Sequence, residues 1–121
     1  MERVIGLGGP FLKAKDPKAL AAWYEKHLGI QFKGQTYTVW PFKEQAGFNI
    51  LSFFEEKSQY YAPSKSSVMI NFIVKDLMVL LDTLRSEGVE VVGEPVSEDY
   101  GKFGWVLDLE GNKIELWQAP E

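Results

Sequence analysis

Apolar and polar positions alternate with a helical period in two stretches of the chain. In KDPKALAAWYEKHLG, Leu20, Trp23, Tyr24, His27 and Leu28 form one stripe. Asp16 is placed to cap that helix, Pro17 suits its first turn, and Gly29 suits its end. In KDLMVLLDTLRSEGV, Asp76 caps, Leu77, Leu80, Leu81 and Leu84 form the stripe, and Gly88 stops the helix. Strand-like runs flank both. PFLKA precedes the first helix, and IQF, YTVWPF and FNILSFF follow it. MINFIV precedes the second, and VEVVG, GWVLDL and KIELWQ follow it, with a hairpin signal at Glu110-Gly111-Asn112.

The order repeats. Lys15-Asp16 matches Lys75-Asp76, Leu20 matches Leu80, and Tyr24 matches Leu84. The expected fold class is therefore α+β: two βαβββ modules in tandem, about 4–60 and about 67–119, within a single domain 1–121. Two such sheets are expected to pair into a curved eight-stranded cup with the helices outside. Period-2 alternation then sorts the side chains. Pro10, Leu12 and Ala14 face the first helix, leaving Gly9, Phe11 and Lys13 on the cup side. Ile70, Phe72 and Val74 face the second, leaving Met69, Asn71 and Ile73. In the last strand Lys113, Glu115 and Trp117 share the cup side, while Ile114 and Leu116 face the other way.

Glu115 is the anomaly, because a carboxylate among bulky apolar groups is costly to bury without a partner. It either lines a functional cavity or pairs with Lys13 or Lys113 on a wet face.

Composition narrows the chemistry. The net charge is −4 with no basic run, which disfavours a nucleic-acid partner. There is no cysteine, so disulfides, thiolate zinc sites and a cysteine nucleophile are excluded. No apolar stretch is long enough for a membrane-spanning helix, and MERVIGLGGPF lacks a signal-peptide pattern, so a cytoplasmic protein is expected. Aromatic residues make up 14%, enough to fill a core and also to wall a concave site. His27, the single histidine, lies at a helix end, where its charge meets the helix dipole favourably.

The segments GPFLKAKDPKALAAWYEKHLGI and YGKFGWVLDLEGNKIELWQ resemble the vicinal oxygen chelate superfamily of glyoxalases, bleomycin-resistance proteins and extradiol dioxygenases. Within it, the chain resembles small glyoxalase-like bacterial proteins. That resemblance implies a divalent ion in the cup of metal-using members, held by histidines and carboxylates from four strands. Carried over, the final glutamate falls on Glu115, the two histidines on Gly9 and Met69, and the remaining ligand near Leu51 or Ser52. One ligand of the set is present, so no cofactor is expected and a divalent metal is disfavoured.

The expected function is binding of a small organic molecule in an aromatic-lined cup. Its ligand-binding residues are Phe11, Trp40, Met69, Asn71, Tyr100, Phe103, Trp105 and Glu115, and Glu115 is the catalytic candidate if chemistry follows. Tyr100 to Trp105 read as a glycine-punctuated loop able to act as a lid, or as plain core packing. One rival is a metal-dependent glyoxalase-type lyase or isomerase, or a dioxygenase, using Glu115 as a ligand. Another is an assembly module whose cup is filled by its own aromatics. The resemblance also implies a homodimer.

Overall fold

The computed structural model describes residues 10–41 and 47–120. Its elements run α1 (Pro17–Leu28), β1 (Ile70–Ile73), α2 (Leu77–Ser86), β2 (Val96–Glu98), β3 (Gly101–Leu107) and β4 (Lys113–Gln118). This is a mixed α+β fold with a four-stranded open sheet of order β1-β4-β3-β2. β1 runs parallel to β4, and the other neighbours are antiparallel. Among the described residues no helix is long and apolar enough to cross a membrane.

Both helices begin where the caps place them. Asp16 Oδ1 accepts from the Ala19 amide and Asp76 Oδ1 from the Val79 amide. Gly29 closes α1 in the left-handed conformation, φ 69°. At the end of α2 the amide of Gly88 bonds to the carbonyl of Arg85. The helix ends are also joined laterally, His27 Nδ1 lying 3.0 Å from Glu87 Oε1.

One face of the sheet carries the core. Val106, Ile114 and Leu116 point toward Leu77, Leu81 and Leu84 of α2, with Leu20 and Tyr24 of α1 completing the cluster. Gly104 on β3 permits this approach, since a Cβ there would lie 3.0 Å from Leu81 Cδ1. The β3–β4 turn organises itself around Asp108, which is buried and accepts from the amides of Glu110 and Asn112 and from the Asn112 side chain. The same turn holds α1: Glu110 accepts from the amides of Lys15 and Asp16, and Tyr24 donates to Asp108.

Three features differ from expectation. Among the described residues all four strands come from the second half of the chain; PFLKA, the described part of YTVWPF, and FNILSFF form no strand ladders. Residues of these segments such as Val39, Leu51 and Phe53 remain largely exposed, so no burial there repays strand ordering. VEVVG contributes only the isolated bridge Val91–Val106 and flanking hydrogen bonds, while the edge strand forms later, at Val96–Glu98. The YGKFGW stretch is no lid: Gly101–Leu107 is strand β3, paired on both sides. Its residues alternate as a half-buried strand requires, Gly104 and Val106 on the core face, Phe103 and Trp105 on the other.

Candidate functional site

The side of the sheet away from the helices holds the unusual chemistry. Register places Asn71, Glu115 and Trp105 side by side on β1, β4 and β3. Ile73, Trp117 and Phe103 form the next row. The second row is apolar: Phe103 stacks on Trp117 with 6° between ring planes and 6.2 Å between centroids, and Phe48 meets Trp117 edge-on at 5.2 Å. The first row is polar and closed on itself.

Glu115 receives three hydrogen bonds. Asn71 Nδ2 donates to Oε2 at 2.7 Å; Trp105 Nε1 and the Tyr60 hydroxyl donate to Oε1 at 3.0 and 2.5 Å. Two of these donors sit on neighbouring strands and are fixed by the sheet. The third arrives from a turn 55 positions away in sequence. Each is charge-assisted, and together they account for how a half-buried carboxylate stands among aromatic rings.

Lys113, on the same face, is buried. It makes no ion pair with Glu115 within 4 Å; its Nζ donates to the Tyr60 carbonyl at 2.6 Å and lies 5.2 and 5.5 Å from the ring centroids of Tyr60 and Trp105. Burial lowers its pKa from the ordinary lysine value, and the charge of Glu115 opposes that. The Tyr60 hydroxyl is raised from its ordinary value, by burial first and then by its bond to Glu115, so it stays a donor at neutral pH.

A profile of the Glyoxalase/Bleomycin resistance protein/Dioxygenase superfamily matches residues 9–116, from the approach to α1 through Glu115 to Leu116. The chain belongs to this superfamily. No curated protein matches it. Among solved structures, a superfamily member from Sphaerobacter thermophilus is 26% identical over 40% of each chain, with a TM-score of 0.38. A glyoxalase family protein from Bacillus cereus is 23% identical, covering 55% of this chain and 47% of that one, TM-score 0.43. The chain thus spans less than half of either relative. An integron cassette protein from the mobile metagenome of V. cholerae is 19% identical over 98% of both chains, TM-score 0.58, which is a likeness of fold.

For a superfamily member the surroundings of Glu115 suit a cation poorly. Its oxygens face three N–H and O–H donors, and the charge that acts with it on that face is the Lys113 ammonium. Among the described residues no three histidine, aspartate or glutamate side chains converge. Met69 precedes β1, Leu51 and Ser52 are exposed, and Gly9 lies outside the described residues.

The structure brings together three of the residues singled out in the sequence: Asn71, Trp105 and Glu115. Phe103 stands in the adjacent row. Tyr100 is exposed, its ring 5.6 Å from Phe103, and its carbonyl accepts from Trp117 Nε1. Phe11 is fully exposed and apart from the cluster. Trp40 lies on the helix side, 6.1 Å from Phe72, in a groove of about 580 Å³ bounded by Ile30, Phe32, Val74 and Leu80. That groove contains none of Asn71, Trp105 or Glu115. Its lining is largely apolar, so the hydrogen-bonded Glu115 carboxylate, not the volume, marks the site. Sequence reasoning missed Tyr60, whose only signal was an aromatic pair, Tyr60-Tyr61, inside an otherwise polar connector. Glu115 is not linked to Lys13.

Proposed function

We propose that this superfamily member binds a small organic molecule on the helix-free face of its sheet, without the divalent ion of the metal-using branches. The observation that carries the reading is the Asn71–Glu115–Trp105 row. It is an acceptor held in place by donors from two neighbouring strands, next to the Phe103–Trp117 stack. A pre-positioned polar handle beside flat apolar walls is the usual make-up of a small-molecule site. In this reading Glu115 accepts from the ligand, Asn71 orients Glu115, and Phe103 and Trp105 supply the walls.

The finer architecture belongs to the same proposal. β1 is an edge strand, and residues 37–41 and 48–54 are largely exposed. A second copy covering these would complete an eight-stranded cup and make the working form a homodimer.

The test pairs a metal analysis with a titration. Metal per chain is measured in protein purified without chelator, beside Glu115→Ala. Benzamide and indole-3-acetamide are then titrated while the indole N–H resonance of Trp105 is followed. The expected result is equal metal content in both proteins and a saturable Trp105 shift that Glu115→Ala abolishes. A stoichiometric transition metal lost in Glu115→Ala overturns the proposal in favour of a metal-dependent lyase, isomerase or dioxygenase.

A further inference from the structure

Tyr60 is held at the site by chemistry rather than by backbone. It belongs to a connector whose internal turns are local: Ser58 to Glu55, Ala62 to Gln59, Ser64 to Tyr61. Among the described residues, no backbone–backbone hydrogen bond ties residues 48–66 to the sheet. What fastens Tyr60 is a set of matched groups. Its O–H meets Glu115 Oε1, its carbonyl meets Lys113 Nζ, and its ring packs against Phe54, 5.2 Å away at 30°, and in a T-shape with Trp105, 5.9 Å away at 86°. Tyr60 is nevertheless 37% exposed, so the arm lies at the surface.

Removing the arm would leave a bipolar site. Glu115 would keep Asn71 and Trp105 and gain a free acceptor position on Oε1. Lys113 would lose its hydrogen-bond acceptor while staying beside the Trp105 ring. A ligand filling that vacancy needs a hydroxyl donor, a flat ring and, beyond the ring, a carbonyl-type acceptor.

We propose that Tyr60 is an internal stand-in for the ligand: the Glu115 site takes a small phenol bearing a carbonyl-type acceptor, and the Tyr60 arm must swing away to admit it. The inference rests on the small-molecule reading above and names its ligand class. The arm also sets the affinity. A tethered competitor acts at an effective concentration in the millimolar range, so the free protein pays for its displacement with each binding event. To donate to Glu115 as the Tyr60 hydroxyl does, the ligand binds as the neutral phenol.

The probes are N-acetyl-L-tyrosinamide, which carries all three groups, and N-acetyl-L-phenylalaninamide, which lacks the hydroxyl. Both are titrated into the full chain, wild type and Tyr60→Ala, with the Trp105 indole N–H as the readout. The tyrosinamide is expected to bind Tyr60→Ala about 10-fold or more tighter than wild type, by release of the tethered competitor. The phenylalaninamide is expected to bind Tyr60→Ala about 10-fold or more weaker than the tyrosinamide, for want of one charge-assisted hydrogen bond. Tyr60→Phe, which keeps the arm's packing, should show the same order with a smaller gain, and it serves if Tyr60→Ala does not fold. Equal affinity for the two probes overturns the phenol assignment. Equal tyrosinamide affinity in wild type and both variants overturns the role of the arm. If benzamide or indole-3-acetamide shifts Trp105 and the tyrosinamide does not, this inference fails while the small-molecule reading stands; if none does, both fail.

Discussion

Tyr24 and Asp108 are 84 positions apart in the chain, and the phenol of one donates to the carboxylate of the other across 2.8 Å. The bond runs from the middle of α1 to the turn between β3 and β4. It joins the first half of the chain to the sheet, and both partners are buried.

Removing that phenol should therefore loosen the whole fold, not a local turn. Tyr24→Phe is expected to cost about 1.5–3 kcal/mol, the range for a hydrogen bond to a charged group. Asp108→Asn should cost more, because its amide would face the donors of Tyr24 and Asn112. Urea unfolding of both variants checks the order; a loss below about 0.5 kcal/mol for Tyr24→Phe would show the bond to be idle.

Alkaline pH should act through the same residue. Burial first, and the nearby Asp108 charge second, hold the Tyr24 hydroxyl above the ordinary value of 10.0. Tyr60 is raised as well. The unfolded chain releases these protons from about pH 10, whereas the folded chain keeps them. The folded state then binds more protons, so this stability is complete below about pH 10 and falls as pH rises above it. Melting temperatures recorded upward from neutral pH should decline beyond that point, and less steeply in Tyr24→Phe. An equal slope in the variant would remove Tyr24 from the account.

Acid should undo the contact between the β3–β4 turn and the start of α1. Backbone amides of Lys15 and Asp16 hold the Glu110 carboxyl below its ordinary value of 4.5. A lowered carboxyl contributes stability that is present above that value and is lost as pH falls through the folded pKa. The difference in melting temperature between wild type and Glu110→Gln should accordingly be constant near neutrality and shrink below about pH 4.5. A difference independent of pH would assign the contact to shape alone.

Two glycines of β3 should respond very differently to alanine. Gly101 has φ 131°, and a Cβ there would run into Trp117 Nε1 and lie 2.6 Å from the Gln118 carbonyl oxygen. Backbone cannot give way, so Gly101→Ala should cost about 3 kcal/mol or more and break the Trp117–Tyr100 bond. At Gly104 the obstacles are the flexible ends of Leu81 and Leu77, and about 1–2 kcal/mol is expected. Thermal unfolding with near-ultraviolet dichroism of the tryptophans reads both effects; the reverse order would contradict the packing described.

Sequence alone determined whatever depends on neighbours in the chain. Both helices, their aspartate caps, the glycine that ends α1 and the turn at Glu110–Asn112 follow from short-range spacing, and the structure has them all. Alternation likewise sorted the faces of β1 and β4 and put Asn71 and Glu115 on one side; the β1–β4 register, a tertiary pairing, set them next to each other. Tertiary structure decided the rest. The aromatics of Tyr100 to Trp105 suit a loop or a strand equally by composition, and only pairing with β2 and β4 makes them strand. Trp40 has no local feature that says which side of the sheet it joins. Tyr60 sits in a polar connector without periodicity, and its hydrogen bond to Glu115 spans 55 positions. No spacing rule reaches that far: a long-range pair is selected by which buried charge still needs a donor once the sheet has formed.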